Sequence, residues 1–259
     1  MANLYYTEAS SGDAPVGSTF AVGTTVEISG DEARHAVRVA RLRLGEHTMI
    51  GDGRGSLATG EVVSVDRERF AVRIDSLTVR EAAHPELVLV QALAKGDRDE
   101  RAVEQATEFG VDAIVPWQAA RSVSRWDGAG SAEKRAKGVA KWARIAREAA
   151  KQSMRACIPL VEQPLTLNEL CEAASRADTE VLVLHPRGDL RLSDWAQRYS
   201  SAAQRIMLVV GPEGGFADAE LDALEAAGAV ILVLGDTVLR TSSAGPAALA
   251  VLNAALGRW

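Results

Sequence analysis

The chain has 259 residues, of which 47% are hydrophobic and 25% charged, and its formal net charge is −6, a composition typical of a soluble globular protein. No apolar run reaches the roughly 18–20 residues that a membrane span needs, and residues 1–11 lack the basic and apolar regions of a secretion signal. Two cysteines, Cys157 and Cys171, are too few for a disulfide framework or a four-cysteine zinc site, so we expect a cytoplasmic protein without a metal.

The first 80 residues predict a small β-rich domain. Short segments rich in β-branched residues are separated by Gly and Asp, and they lie at 24–28, 47–50, 56–64 and 70–77. One helix is predicted at 32–40, with Asp31 as its N-terminal cap. A polar stretch at 80–85 that ends in Pro85 predicts a linker, so we expect domains at 1–80 and 81–259.

From residue 86 onward the pattern predicts an α/β domain. Predicted strands lie at 87–94, 113–116, 158–161, 180–185, 205–210 and 229–234. Predicted helices lie at 97–109, 133–155, 167–177, 192–199, 218–227 and 246–256. Because strands that alternate with helices form parallel sheets covered on both faces, we expect a parallel sheet here.

The predicted helix at 133–155 is strongly basic. It carries eight Lys or Arg residues against Glu133 and Glu148, whereas residues 156–259 are acidic overall. At about 100° per residue one narrow stripe forms on this helix. Its members are Lys137, Lys141, Arg144, Glu148, Lys151 and Arg155. The stripe indicates either a solvated surface or a phosphate-binding surface, and the helix alone does not distinguish between them.

Three predicted strands of this domain end in loops of unusual composition, which lie at 181–188, 209–220 and 233–249. Ligands of open α/β sheets bind beyond the carboxyl ends of the strands, so a ligand site is expected there. The second loop, GPEGG at 211–215, has neither the dinucleotide-binding spacing nor a Walker A lysine, which disfavours a nucleotide-dependent oxidoreductase. The third combines Val238 and Leu239 with hydroxyls and Arg240, and such apolar side chains suit a flat heterocycle.

Together these motifs resemble the RsmE family, the 16S ribosomal RNA uridine N3-methyltransferases of the SPOUT superfamily. The resemblance rests on GPEGG at 211–215 with Glu220, LG at 234–235 and LRTSSA at 239–244. It extends to KGDRDERAVEQATEFGVDAIVP at 95–116, ARSVSR at 120–125, REAAKQSMRACIP at 147–159 and HAVRVARLRLGE at 35–46. It therefore covers essentially the whole chain.

The resemblance implies a fold, a cofactor and partners. The fold is a SPOUT-type α/β domain with a trefoil knot, preceded by a small PUA-like β-barrel domain that binds RNA. The cofactor is S-adenosylmethionine (SAM), which donates a methyl group to uracil N3. The partners are 16S rRNA or the small ribosomal subunit and a second copy of the chain, without a membrane or a metal.

The resemblance also implies the site residues. Arg240 would stabilise the uracil anion, and Glu213 is a second catalytic candidate. The implied cofactor-binding residues are Leu184, His185, Gly211, Glu213, Gly214, Leu234, Gly235, Val238, Leu239, Thr241 and Ala244. The implied RNA-binding residues are His35, Arg38, Arg41, Arg43, Lys95, Arg121, Arg125, Arg144, Lys151 and Arg155. A spacing of three places His35, Arg38 and Arg41 near one face of the predicted helix.

One departure supports an alternative. The family often has Glu and Thr where this chain has Ser242 and Ser243. The alternative is therefore an RNA-binding ribosome-assembly factor with a vestigial SAM site. It predicts RNA binding without methyl transfer.

Overall fold

The structure, a computed structural model, describes residues 3–7, 20–127, 130–199 and 203–259. The chain divides into two compact units. The first contains Met1–Ala82 and Ala150–Ile158, and the second contains Ala83–Ala149 and Pro159–Trp259. The return of Ala150–Ile158 to the first unit was not expected from the sequence.

The first unit is built on a five-stranded sheet. Its strands are β1 (Leu4–Tyr6), β2 (Thr25–Ser29), β3 (His47–Gly51), β4 (Ser56–Val65) and β5 (Arg69–Val79), in the order β1-β3-β4-β5-β2. Two register shifts interrupt the β4–β5 pairing, as β-bulges do where a sheet bends. At Gly60 a Cβ atom would lie 2.0 Å from the Arg73 carbonyl oxygen, so only glycine fits there.

The helix of this unit differs from its prediction. An α-helix, α1 (Gly30–Arg34), continues as a π-helical turn, His35–Val39. Arg41 lies beyond its end with a φ of 56°. The predicted face shared by His35, Arg38 and Arg41 was therefore wrong, because it assumed α-helical spacing throughout.

Residues Ala150–Ile158 add to this first unit through main-chain contacts. The Gly55 amide donates to the Ala156 carbonyl at 3.1 Å, and the Ile158 amide donates to the Gly53 carbonyl at 2.9 Å. The Tyr6 hydroxyl donates to the carbonyl of Arg155 at 2.8 Å. These bonds explain why the segment belongs with the sheet of the first unit.

Lys151 is buried in the same unit. Its Nζ lies 2.7 Å from Glu32 Oε2, and both side chains are about nine-tenths buried, with 10% and 9% exposed. The ammonium also lies 5.3 Å from the centroid of the Tyr5 ring. Burial, with a smaller contribution from Glu32, raises the pKa of Tyr5. Lys151 is thus the cation of a buried ion pair, and its prediction as an exposed member of a basic stripe was wrong.

The second unit contains a seven-stranded sheet in which every pairing is parallel. Its strands are β6 (Glu86–Ala92), β7 (Ala113–Trp117), β8 (Leu160–Val161), β9 (Thr179–Leu184), β10 (Leu190–Arg191), β11 (Arg205–Val210) and β12 (Val230–Val233). Their order is β10-β12-β9-β11-β6-β7-β8. The helices are α2 (Arg98–Glu108), α3 (Ser131–Gln152), α4 (Leu167–Ala174), α5 (Leu192–Arg198), α6 (Asp218–Ala226) and α7 (Thr241–Ala255). The parallel sheet predicted from the alternating pattern is confirmed.

Helices cover both faces of this sheet. Leu87 and Leu89 of β6 pack in a core with Val103 of α2 and Leu249 of α7. Val88 and Val90 point to the opposite face, where side chains from α4 and α6 contribute to a second core. Because successive side chains of a strand alternate between faces, a strand buried on both faces is continuously apolar. This explains the apolar run at 87–94.

The last helix begins earlier than predicted, at Thr241 rather than at Pro246. Pro246 lies in its second turn, where it has no N–H to donate to the carbonyl of Ser242. Gly245 packs tightly on β6, and a Cβ atom there would lie 2.7 Å from Leu89 Cδ1. Packing on the sheet therefore overrides the weak helix propensity of the Gly-Pro pair.

Two kinds of feature are absent from the described ranges of the chain. Among the described residues, no helix is long and apolar enough to cross a membrane. Within the same ranges, no group of three or more His, Cys, Asp or Glu side chains is placed to hold a metal ion.

Candidate functional site

The parallel sheet has a topological switch between β6 and β11. These strands are neighbours, and the chain leaves β6 toward β7 on one side but leaves β11 toward β12 on the other. A crevice forms where connections diverge in this way, beyond the carboxyl ends of the strands, and ligands of open α/β sheets bind in it. The loops that follow β9, β11 and β12, which the sequence predicted as a ligand site, lie at this edge, and the loop after β6 contacts them through Lys95 and Glu213.

The loop after β12 exposes apolar side chains. Val238 is 80% exposed and Leu239 is 39% exposed, whereas Leu234 packs against the core. Within the described part of the chain, the backbone amides of residues 235–239 donate to no other backbone group. Exposed apolar surface beside free backbone donors suits a flat heterocycle with a polar edge.

Arg240 follows this loop and precedes α7. Its backbone is extended, with φ −64° and ψ 152°, and its carbonyl accepts from the Ser243 and Ala244 amides at 2.8 and 3.0 Å. The side chain is exposed, and no ion pair joins its guanidinium to a described residue. The cation is therefore available to an external anion.

The GPEGG segment after β11 forms a tight turn. The Gly215 amide donates to the carbonyl of Pro212 at 2.9 Å, and Gly215 has a φ of 70°. A Cβ atom at Gly211 would lie 2.7 Å from the Phe216 ring, and one at Gly214 would lie 3.1 Å from the Arg121 carbonyl oxygen. Glycine is thus required by close approach at Gly211 and by backbone conformation at Gly215.

Two carboxylates attach this segment to neighbouring loops. Glu213 Oε1 accepts from the Lys95 amide at 3.0 Å and lies 3.5 Å from Arg98 Nη1, which ties the segment to the loop after β6. Glu220 is buried, and it accepts from the amides of Ala120 at 2.7 Å and Ala217 at 2.8 Å. The first contact gives Glu213 a role in holding the two loops together.

A buried hydrogen-bond relay joins β6, the start of the GPEGG segment after β11 and the start of α7. Gln91, fully buried in β6, donates from Nε2 to Thr241 Oγ1 at 2.9 Å and to the Ala92 carbonyl at 3.2 Å. The Thr241 hydroxyl donates to the Gly211 carbonyl at 2.7 Å. Gln91 Oε1 has no hydrogen-bond partner among the described residues, and an unsatisfied buried acceptor costs about 1–3 kcal/mol.

His185 lies at the end of β9. Its Nδ1 accepts from the Arg187 amide at 3.1 Å, so the neutral ring carries its proton on Nε2. The ring meets that of Phe216 edge-on, with 5.7 Å between centroids. Burial lowers the pKa of His185, and the charges of Arg187 and Arg121 act in the same direction. The imidazole is therefore held neutral as a donor at this edge.

Family models match both units of the chain. One, described as an RNA methyltransferase domain, matches residues 81–253, and another, described as an RNA methyltransferase PUA domain, matches residues 28–75. A ribosomal RNA small subunit methyltransferase E from Mycobacterium bovis is 42% identical over 240 residues, which are 92% of this chain and 89% of the relative. The chain belongs to the ribosomal RNA small subunit methyltransferase E family.

Solved structures of the methyltransferase E family and its relatives share this fold. A Neisseria gonorrhoeae ribosomal RNA small subunit methyltransferase E bound to SAM is 26% identical, covers 98% of both chains and has a TM-score of 0.80. A Legionella pneumophila protein, also solved with SAM, is 29% identical over 98% of both chains with a TM-score of 0.80. The α/β fold with a preceding PUA-type domain, predicted from the resemblance, is confirmed.

In this member of the methyltransferase E family, the predicted cofactor residues fall into three groups. Val238, Leu239 and Gly235 are exposed at the sheet edge. The residues that pack against the core are Leu184, Leu234 and Ala244. The residues that shape or attach the loops are His185, Gly211, Glu213, Gly214 and Thr241.

The predicted RNA-binding residues of the first unit are mostly exposed. His35, Arg38, Arg41 and Arg43 are all exposed, as are Val39 and Leu44, each at 68%. Lys151 does not belong with them, since its ammonium is buried against Glu32. Arg155 lies beyond the end of α3 and is half-buried. The prediction that an exposed stripe continues through Lys151 and Arg155 was wrong, because Lys151 is buried against Glu32 and α3 ends at Gln152, before Arg155.

The second unit places its predicted RNA-binding residues in different surroundings. Lys95 and Arg121 are exposed beside the GPEGG segment, and Arg121 Nη1 donates to the Gly214 carbonyl at 3.4 Å. Arg125 is paired with Asp127 through two hydrogen bonds, which lower the pKa of that carboxyl to about 2. Arg144 lines a cleft with Asp97, Glu100, Arg101, Glu104, Ile145 and Glu148. Lys95 and Arg121 are therefore best placed to contact an anion near the site.

Sequence reasoning missed the role of Gln91 and Glu220. The only sequence signal for Gln91 is a polar residue inside the apolar run at 87–94. The only sequence signal for Glu220 is its place as the acidic residue after GPEGG in the family pattern. Both act through partners more than 90 residues away in the chain, at Thr241 and Ala120.

Proposed function

We propose that this protein transfers a methyl group from SAM to N3 of a uridine in the 16S rRNA of the small ribosomal subunit. The observation that carries the proposal is the edge surface formed by Val238 and Leu239. Beside it lie backbone amides and the Arg240 guanidinium, which have no partner among the described residues. Membership in the methyltransferase E family supports the same activity.

The residues at this edge fit SAM. The exposed side chains of Val238 and Leu239 suit the faces of adenine, and the amides of residues 235–239 suit its polar edge. When bound, SAM supplies an electrophilic methyl group on a sulfonium. Because methyl transfer is an in-line displacement, positioning by the loops accounts for much of the catalysis.

Arg240 is the proposed catalytic residue. Uracil N3 must first lose its proton, for which the proposed acceptor is a solvent base, and the anion then attacks the methyl carbon while S-adenosylhomocysteine leaves. The negative charge of that anion needs stabilisation until the N–C bond forms. A guanidinium remains charged at all relevant pH values and can donate two hydrogen bonds to one acceptor group. Glu213 is proposed to hold the GPEGG segment against the loop after β6 rather than to take the N3 proton.

The two parts of the chain are proposed to have separate functions, RNA binding and methyl transfer. Residues 1–80 bind rRNA through His35, Arg38, Arg41 and Arg43, and residues 81–259 carry the chemistry with Lys95 and Arg121 near the target. A uridine in folded rRNA has to be splayed out of its helix to expose N3. We also propose that the protein acts in the cytoplasm as a homodimer and that its second unit is knotted. Light scattering and mass spectrometry of the purified protein would test the dimer stoichiometry.

The test is methyl transfer with purified components. Small subunits from a strain that lacks this gene, and naked 16S rRNA, are incubated with the protein and SAM labelled at the methyl group. The proposal predicts label that elutes with N3-methyluridine after digestion to nucleosides. Label on another nucleoside would contradict the proposed atom, and RNA binding without label would favour the assembly-factor alternative suggested by Ser242 and Ser243.

A further inference from the structure

We propose that Gln91 is a positioning residue for methyl transfer, acting through Thr241 on the segment that carries Arg240. The inference rests on the proposed function, since it assigns a role in that same site. Gln91 touches no ligand surface itself, because its side chain is fully buried in the central strand β6.

The relay has a defined direction. The Thr241 hydroxyl has one proton, which it donates to the Gly211 carbonyl at 2.7 Å. Its oxygen must then accept from Gln91 Nε2, 2.9 Å away, and the second amide proton goes to the Ala92 carbonyl at 3.2 Å. Reversing the amide would set Oε1 against the Ala92 carbonyl, acceptor against acceptor. Both protons of the amide are thus committed, and the orientation of Gln91 is fixed.

The relay spans the topological switch of the sheet. Gln91 is in register with Val210 at the end of β11, and Gly211 is the next residue along the chain. Thr241 opens α7 directly after Arg240. The hydrogen bonds from Gln91 to Thr241 and from Thr241 to Gly211 therefore set the spacing between the GPEGG segment and Arg240. The close packing of Gly245 on Leu89 holds the next turn of α7 against the same strand.

Packing alone does not explain why an amide is buried at position 91. Its Oε1 is unpartnered among the described residues, so an apolar side chain of similar length would avoid a buried unsatisfied acceptor. What an apolar residue lacks is the donor to Thr241. We therefore infer that Gln91 is needed to orient Thr241, although its unsatisfied oxygen lowers the stability of the fold.

The experiment compares isosteric variants of the whole protein. Gln91→Met removes the donor, Thr241→Val removes the hydroxyl, and the double variant removes both. Thr107→Val is the matched control, because the buried Thr107 hydroxyl donates to the Val103 carbonyl at 2.8 Å near the end of α2, at the opposite edge of the sheet. For each variant we would measure the SAM dissociation constant by calorimetry, kcat and KM for methyl transfer, and the thermal midpoint.

We expect Gln91→Met and Thr241→Val each to lower kcat by about 10–100-fold, as small misplacements of reacting groups do. The SAM dissociation constant should rise by about 3–10-fold, and the double variant should be no worse than either single variant, because the residues act as one unit. Thr241→Ser keeps the hydroxyl, so its fall in log kcat should be at most half of the fall in Thr241→Val. Thr107→Val should change only the thermal midpoint.

Two results would overturn the proposal. One is unchanged kcat and SAM affinity in both single variants. The other is a loss of kcat in the double variant that equals the product of the two single losses, together with an equal loss in Thr107→Val. This outcome would show general destabilisation. If the wild-type protein methylates no rRNA while the variants still weaken SAM binding, the relay stands as a determinant of donor binding and the proposed acceptor fails.

Discussion

The carboxylate of Glu213 accepts a hydrogen bond from the backbone amide of Lys95 at 3.0 Å. This contact joins the loops that follow β11 and β6, the two strands on either side of the topological switch. Arg98 lies 3.5 Å from the same oxygen and adds a cation to the contact. The relationship predicts how a substitution at Glu213 should behave.

Replacement of Glu213 separates a holding role from a proton-transfer role. Glu213→Gln keeps an oxygen that can accept from the Lys95 amide, so we expect kcat to fall by less than about tenfold. Loss of a general base would cost about 10²–10⁴-fold. Glu213→Ala removes the acceptor and should be the more damaging change. Steady-state kinetics distinguish the two roles. A Gln variant as inactive as the Ala variant would indicate that Glu213 acts as a general base.

Arg240→Ala should abolish turnover while donor binding persists. The guanidinium is exposed and unpaired within the described residues, so its loss leaves the fold intact. We expect kcat to fall by about 10²-fold or more, as with removal of an oxyanion-stabilising donor. The SAM dissociation constant should change by less than about threefold. Arg176→Ala, which removes an exposed arginine paired with Asp178 before β9, is the control.

His185 should titrate below the ordinary histidine value. Burial lowers its pKa, so the folded protein favours the neutral ring. The stability that this preference contributes is fully present above a pH of about 6.5 and is lost as pH falls through the lower folded-state pKa. NMR titration of the ring, assigned by comparison with His185→Gln, gives the pKa and the tautomer. A pKa above about 6.5, or a proton on Nδ1, would contradict this account.

Lys151 should matter for stability and not for phosphate contact. Lys151→Ala removes the cation of the ion pair with the buried Glu32 carboxylate, which costs about 3–5 kcal/mol. Glu32→Gln combined with Lys151→Met removes both charges and should recover most of that loss. Chemical denaturation measures the free energy of unfolding of each variant.

Arg38→Ala provides the complementary RNA experiment. Arg38 is exposed, so its removal should leave stability nearly unchanged. Removing one Arg–phosphate interaction should reduce the slope of log affinity against log salt by about 0.7–0.9. An equal reduction of the slope in the Glu32→Gln/Lys151→Met protein would show that Lys151 binds RNA after all.

Sequence periodicity predicted the parallel sheet because the strands are buried on both faces and the helices alternate with them. The loops at the sheet edge followed from the same pattern, since strand ends and glycines mark their positions. The family motifs then gave the cofactor and the RNA class. Each of these features is carried by continuous segments of the sequence.

Long-range contacts explain what the sequence did not predict. In the sequence Lys151 is one of several basic residues on a basic helix, and its burial against Glu32 depends on a contact between distant parts of the chain. Gln91 looked like an exception in an apolar strand, and its role depends on Thr241. The start of α7 was missed because packing of Gly245 on Leu89 stabilises a turn that Gly and Pro disfavour.

The most direct test of the central claim is mass-spectrometric mapping of small-subunit rRNA from a strain that lacks this gene. We predict that one N3-methyluridine disappears from 16S rRNA, returns with the wild-type gene and does not return with the Arg240→Ala gene. A complete set of rRNA methylations in the deletion strain, or restoration by Arg240→Ala to the wild-type level, would contradict it.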